Sequence, residues 1–339
     1  MAGVTLPISP PLSPMLSKAR EDLPRGEGWV YEPKWDGFRA IVFREGDAIH
    51  IGSRTERPLH RYFPELLDPL REALPDRCVV DGEIVLAREG RLDFEALQLR
   101  LHPAESRVRM LAEEIPASFV GFDLPALGDD DLRGRPLAER WDLLARALRE
   151  RTIPQILGDG PLVARTPQTR DPDEAERWMD ELGAFRLDGV IAKTDDLTYR
   201  PGERAMIKVK RRRTADCVVG GYRIHKDGKG VGSLLLALYD DDGVLRHVGF
   251  TSSFRAKQRR ELLGLVRKHH GDSAFGEHTG PGGPSRWRQE ETPWTPLRPE
   301  LVCEVAFNHT TGQRIRHGAT FVRWRDDKDA RDCTMDQIA

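Results

Sequence analysis

No apolar run in this 339-residue chain approaches the roughly 18 to 20 residues needed to cross a bilayer. The opening residues, Met1-Ala-Gly-Val-Thr-Leu-Pro-Ile-Ser-Pro-Pro, lack the basic start and sustained apolar core of a secretory leader. Cysteine is scarce: Cys78, Cys217, Cys303 and Cys333 lie far apart and form no C-x-x-C pair. That argues against a zinc site and a disulfide framework, and favours a reducing cytoplasm. None of the four reads as a catalytic nucleophile. The G-x-x-x-x-G-K-[ST] and G-x-G-x-x-G loops are missing too, which excludes the usual backbone cradles for phosphate. There is no solenoid repeat.

What is present fits a globular protein of about two domains, 39% hydrophobic and 32% charged. The net charge of −2 hides an asymmetry, because residues 211 to 339 hold 22 Lys+Arg against 17 Asp+Glu. A mildly basic C-terminal part is compatible with a polyanion partner, since only the contacting face must be positive.

The prolines of residues 1–28 predict an extended arm rather than a helix. Beyond it, strand-like runs alternate with helical patterns. Gly28–Glu32, Arg39–Phe43, Ala48–Ile51, Cys78–Leu86, Ala117–Leu124, Gly189–Lys193 and Ala205–Lys210 read as strands. Helices are expected over Pro64–Leu74, with Pro69 as a potential kink, and over Phe94–Leu101, Leu137–Glu150 and Asp171–Leu182. Arg211-Arg-Arg-Thr214 breaks the pattern and marks a hinge between domains 29–210 and 215–339. After it, short strands separated by Asp-Gly and Gly-Lys-Gly turns, with one helix over Ala256–His269, suggest a small Greek-key barrel of the oligonucleotide-binding (OB) type. Gly271–Thr295 reads as a loop.

Chemistry concentrates in a few short stretches. Tyr31-Glu-Pro-Lys-Trp-Asp-Gly-Phe-Arg39 puts a lysine two residues ahead of a carboxylate, followed by a glycine that allows close backbone approach and, five residues on from the lysine, an arginine fork. A nucleophilic lysine needs neighbours that favour its neutral amine; a charged surface turn is the plain alternative. Asp81-Gly-Glu83 places a carboxylate among apolar neighbours, costly unless it binds a cation or hydroxyl. Asp188-Gly-Val-Ile-Ala-Lys193 begins with a carboxylate and ends with a lysine; on a regular strand the two face opposite ways, and a bulge at Gly189 would bring them together. Lys208-Val-Lys210 projects two ammonium groups on one sheet face, either around an anion or as a guarded edge. Several lysines with several carboxylates suit a metal-bound polyphosphate.

The order and spacing of these stretches resemble those of the covalent nucleotidyltransferases: ATP-dependent DNA ligases, RNA ligases and mRNA capping enzymes. Lys34-Trp-Asp-Gly-Phe-Arg39 is similar to their first motif and Ser53-Arg54 to the next. Asp81-Gly-Glu83, Val120-Gly-Phe-Asp123, Asp188–Lys193, Lys208-Val-Lys210 and the R-x-D-K element Arg325-Asp-Asp-Lys328 follow in order. The resemblance covers Trp29 to Lys328. It implies an α+β fold: a nucleotidyltransferase (ATP-grasp-like ligase) domain of antiparallel sheets with flanking helices, then an OB-fold barrel. It also implies that Lys34 attacks the α-phosphorus of ATP and becomes linked to AMP. Glu32 and the backbone at Trp35 would meet the adenine edge, and Phe122 would stack on the ring. Arg39 and Glu83 would hold the ribose; Glu83 and Asp188 would serve a magnesium ion, with manganese as a substitute. Lys193, Lys208 and Lys210 would surround the α-phosphate, and cations there would depress the pKa of Lys34. Arg54 would contact the 5′-phosphate of the nucleic acid, and Arg325, Asp327 and Lys328 would orient pyrophosphate. Two departures stand out: Asp188 replaces the usual glutamate, and Met206 stands where tryptophan is common.

Within that superfamily, Trp29–Arg39 and Arg316–Arg325 resemble the stand-alone LigC-type repair ligases of actinobacteria. No segment matches a helical DNA-encircling domain, a polymerase or a nuclease. The expectation is an ATP-dependent DNA ligase that seals 3′-OH/5′-phosphate nicks in repair: a cytoplasmic, nucleoid-associated monomer acting on nicked duplex DNA, with no membrane association and Ku-type proteins as candidate partners. An RNA-repair ligase, disfavoured by the R-x-D-K element, a GTP-using capping enzyme and a non-catalytic barrel protein with a decayed transferase domain are the alternatives.

Overall fold

The β-branched and aromatic runs of the first half build two sheets. In the computed structural model they form β1 (Leu16–Arg20), β2 (Trp29–Lys34), β3 (Phe38–Glu45), β4 (Ala48–Ser53), β5 (Arg77–Val85), β6 (Ser118–Leu127), β7 (Val163–Arg165), β8 (Gly189–Thr194) and β9 (Arg204–Lys210). The structure describes residues 6–55, 58–158, 160–181, 185–210, 213–276, 279–281, 293–307, 310–311, 313–315 and 318–338. The chain divides into two compact units, residues 1–211 and 212–339. Among the described residues no helix is long and apolar enough to span a membrane.

One sheet of the first unit has the order β1-β9-β8-β2 and the other β7-β6-β5-β3-β4. The sheets are not wholly antiparallel, because β1 joins β9 and β7 joins β6 in parallel. Residues 6–20 are extended, but they are no free arm. Leu6, Ile8, Leu12 and Met15 are buried with Val30, Ile41 and Phe43, and β1 forms an edge of the first sheet. The apolar anchors at this spacing tie down a segment whose prolines forbid a helix.

Helices cover the sheets: α1 (Leu67–Ala73), α2 (Phe94–Leu99), α3 (Glu105–Glu114), α4 (Leu137–Ala147) and α5 (Pro172–Glu181). Pro69 falls in the first turn of α1, where a missing N–H breaks no bond. Asp171 Oδ1 accepts from the Asp173 N–H at 2.9 Å and so starts α5; the expected end at Leu182 lies outside the described residues. The buried Arg140 on α4 donates to both oxygens of Asp123 at 2.7 and 3.0 Å and pins the helix to β6.

The second unit is a sheet of order β12-β11-β10-β13-β14, built from β10 (Arg213–Ile224), β11 (Val231–Tyr239), β12 (Leu245–Thr251), β13 (Val302–Phe307) and β14 (Thr320–Trp324). The Ala319 N–H donates to Phe250 O at 2.8 Å, so the outer strands meet and the sheet curls towards a barrel. Helix α6 (Ala256–Val266) lies between the third and fourth strands, the topology of an OB fold. A bulge at Gly220 bends β10, and a side chain there would meet the Phe275 ring. Arg211 and Arg212 of the expected hinge, residues 277–278 and 282–292 of the expected Gly271–Thr295 loop, and Arg316 and His317 lie outside the described residues.

Candidate active site

Strand β2 ends on Lys34, and Gly189 at the start of β8 pairs with Lys34 on one side and Lys210 on the other. Gly189 has φ +139, and a Cβ there would lie 2.1 Å from Val209 O. Only glycine fits such a crossing. Asp188, just outside the strand, and Lys193, within it, both line one cavity of about 470 Å³. The first sheet supplies Glu32, Lys34, Lys193, Met206, Lys208 and Lys210; the second supplies Arg39, Glu83 and Phe122; Arg54 and Pro14–Ser17 of the N-terminal segment complete the rim.

At one end Asp188 Oδ2 accepts from Lys34 Nζ at 2.5 Å and Lys210 Nζ at 2.7 Å. Burial works against the Lys34 ammonium, but Asp188, helped by Glu83 and Asp36, outweighs it and holds the lysine above its ordinary range. The expected depression is therefore not the state of the nucleotide-free protein: the carboxylate beside Lys34 dominates. Lys208 behaves oppositely, lowered by burial and by the Lys210 and Lys34 charges.

Further along, Arg39 donates to both oxygens of Asp81 at 2.6 Å, and the Tyr199 hydroxyl adds a bond to Asp81 at 2.7 Å. The Arg39 guanidinium lies 4.3 Å from the centre of the Phe122 ring, a cation–π contact. Glu83 Oε1 accepts from the Gly37 N–H at 3.2 Å. Burial pushes the Glu83 carboxyl up to about 7 despite Arg39 and Lys34. A side chain at position 37 would strike Ile84 O at 2.1 Å, so glycine is required for this approach.

The deepest corner holds Glu32, whose carboxylate meets Lys193 Nζ at 2.8 Å and Gln168 Nε2 at 3.1 Å. Lys193 is 1% exposed and sits in this corner with Glu32, whereas Lys34 and Lys210 meet Asp188. Trp35 turns away into the core and donates to Thr166 Oγ1 at 2.9 Å.

Among the described residues no three His, Cys, Asp or Glu side chains gather into a metal cage. Two carboxylates beside lysines, Glu83 and Asp188, are nonetheless a fitting donor set for magnesium. That ion keeps several waters and takes other ligands from substrate phosphates.

Residues 10–210 match the ATP dependent DNA ligase domain, and residues 227–328 match the ATP dependent DNA ligase C terminal region. The chain belongs to the ATP-dependent DNA ligases. DNA ligase C2 of Mycolicibacterium smegmatis is 53% identical over 348 residues, covering 98% of this chain and 96% of that protein. DNA ligase C of Mycobacterium tuberculosis is 48% identical, covering 98% and 95%. A solved structure from work on Lig E DNA ligases and DNA binding with a minimal scaffold has a TM-score of 0.52 at 18% identity. It covers 92% of this chain and 99% of that one, a likeness of fold.

In this ligase the R-x-D-K element belongs to the second unit. Arg325 donates from one nitrogen to both oxygens of Asp216 at 2.8 Å, and its other nitrogens meet Asp327 at 2.8 and 2.9 Å. Lys328 Nζ reaches Asp216 Oδ2 at 2.9 Å. Hydrogen bonds from Arg325 hold the Asp327 carboxyl down at about 2. Sequence reasoning named all three residues but missed Asp216, an acidic residue at a strand start with no motif around it. It also missed Gln168, Thr166 and Tyr199. A carboxylate buried in an apolar strand, as at Asp81, is the signal that a partner such as Arg39 must exist; the Thr166-Pro-Gln-Thr169 segment carries no comparable sign.

Proposed function

We propose that this ligase seals 3′-OH/5′-phosphate nicks in duplex DNA through a lysyl-AMP intermediate, in repair of DNA. The observation that carries this reading is Lys34 on the wall of a cavity that sets lysines and an arginine side by side with carboxylates. Asp188, Lys208 and Lys210 lie towards one end, Arg39 and Glu83 beside them, and Glu32 and Phe122 at the far corner. In the first step the Lys34 amine bonds to the α-phosphorus of ATP as the bond to the β-phosphate oxygen breaks, and pyrophosphate leaves. The AMP then passes to a 5′-phosphate of the nick, freeing Lys34. Finally the 3′-hydroxyl attacks that phosphorus, loses its proton and expels AMP.

Lys34 must shed a proton before attack, so its Asp188 contact has to loosen as the triphosphate enters; Lys208 and Lys210 then favour the neutral amine and face the anionic oxygens. Glu83 and Asp188 would hold magnesium, or manganese in its place, which supplies neutralisation of phosphate charge. Arg39, fixed by Asp81, would orient the ribose side, and Arg54 would meet the 5′-phosphate. Arg325, Asp327 and Lys328 would act on the leaving pyrophosphate. The protein is taken to work as a cytoplasmic monomer near the nucleoid, with Ku-type proteins as candidate recruiters.

Incubation with α-labelled ATP and magnesium, followed by a denaturing gel, should label the wild-type chain and leave Lys34→Ala unlabelled. A label that survives Lys34→Ala overturns the intermediate. Nicked DNA compared with a nicked RNA strand then decides the acceptor; preferential sealing of RNA would convert the reading to an RNA-repair ligase.

A further inference from the structure

Lys193 is spoken for. Its three ammonium protons face three acceptors: Glu32 Oε2 at 2.8 Å, Glu32 Oε1 at 3.0 Å and Phe122 O at 3.1 Å. It is 1% exposed, so offering a proton to a phosphate would mean breaking a buried ion pair. Glu32, 2% exposed, takes a further bond from Gln168 Nε2 at 3.1 Å. Gln168 does not line the cavity; it stands behind Glu32 on a segment strapped to both sheets. The Thr166 N–H bonds Gly121 O at 3.0 Å, and Thr169 exchanges two backbone bonds with Tyr31 at 2.8 and 3.0 Å. Tyr31 precedes Glu32, so the strap fixes donor and acceptor to the same stretch of β2.

We propose that Lys193 and Gln168 are positioning residues for base selection: they hold Glu32 ionised and in one orientation, so that the cavity accepts the 6-amino group of adenine and repels the 6-oxo group of guanine. The inference rests on the ligase reading above and assigns roles to two residues outside it, moving Lys193 from the phosphates to the base.

The chemistry is a matter of one proton. An ionised carboxylate is an acceptor only, whereas a protonated one also donates. Adenine presents a donor at position 6 and guanine an acceptor. Burial raises the Glu32 carboxyl above its ordinary value, towards the form that could donate to guanine; the Lys193 ammonium, at 2.8 and 3.0 Å from its two oxygens, works against that rise and favours the acceptor form. Gln168 then limits rotation of the carboxylate. A buried site built around one hydrogen-bond pattern rejects ligands that leave it unpaired.

The test compares self-labelling by ATP, GTP and purine riboside 5′-triphosphate, which lacks the 6-amino group, in wild type, Gln168→Leu and Lys193→Met. A Glu32→Gln/Lys193→Met double variant removes the buried charges together and guards against a fold that fails with one charge unpaired. Gln168→Leu should raise KM for ATP by about tenfold, with the change falling on KM rather than kcat. In all three variants the preference for ATP over both other nucleotides should shrink, and Gln168→Glu should not restore it. Equal losses of kcat with all three nucleotides in Lys193→Met, with the ATP preference intact, would return Lys193 to the phosphates and overturn the inference alone. A wild-type chain that takes no label from ATP would overturn the lysyl-AMP reading and this inference with it.

Discussion

Lys34 and Glu83 each keep a proton to higher pH than usual, the lysine through a neighbouring carboxylate and the glutamate through burial. For Glu83 the consequence for stability has a definite sign. An unfolded glutamate ionises near its ordinary value of 4.5, while the folded one keeps its proton until about 7. The folded state is thus disfavoured progressively as pH rises from the lower value to the higher, and the loss is constant above that. Glu83→Gln should remove this loss and stabilise the nucleotide-free protein at pH 8 by about 2 kcal/mol, while abolishing efficient self-labelling. Urea melts at pH 5 and pH 8 check it; an unchanged pH dependence in the variant would show that Glu83 is not the titrating group. For Lys34 the partner is the lever. Asp188→Asn removes the carboxylate that holds the proton, so acylation of Lys34 by an amine reagent at pH 8 should speed up by about tenfold. Peptide mass spectrometry reads this directly, and an unaltered rate would deny Asp188 its hold on the lysine.

Elements decide where these groups point. A regular strand starting at Asp188 would have sent its carboxylate and Lys193 to opposite faces. The left-handed φ of Gly189, with Asp188 left outside β8, brings both to the cavity. Gly189→Ala must break that geometry, because its Cβ would lie 2.1 Å from Val209 O. A destabilisation of about 2–4 kcal/mol is expected, together with loss of self-labelling; a thermal melt indistinguishable from wild type would contradict it. The strands themselves were legible, since period and β-branching reflect local burial, and Lys34, Lys193, Lys208 and Lys210 all sit on strands. The role of residues 14–20 was not. Their prolines advertise an extended chain, but partnership with β9 joins positions nearly two hundred residues apart, and no local pattern encodes it. Gln168 and Tyr199 escaped for the same reason: one polar side chain in an irregular segment gains meaning only from the carboxylate it meets. The raised pKa of Lys34 in the nucleotide-free protein was not legible either, because the carboxylate 2.5 Å away comes beside it only in the fold.

At the scale of the whole chain the proposed catalytic groups are divided between two compact units, with Lys34 in the first and the Arg325–Lys328 element in the second. In the second unit that element is occupied: Asp216, 9% exposed, binds both Arg325 and Lys328 from the β10 strand. If these cations act on pyrophosphate, they matter for the attachment of AMP to Lys34 and not for the final sealing of an already adenylylated nick, which releases no pyrophosphate. Arg325→Ala and Lys328→Ala should therefore slow self-labelling by ATP about tenfold or more, while joining of a synthetic 5′-adenylylated nick proceeds at close to the wild-type rate. The division of labour also predicts the pattern for Lys34→Ala: no self-labelling, yet retained joining of the adenylylated nick, since that step needs no amine. Equal losses in both assays for the Arg325 and Lys328 variants would place those side chains on the DNA instead, and the second unit would then serve substrate binding throughout the reaction rather than the chemistry of its first step.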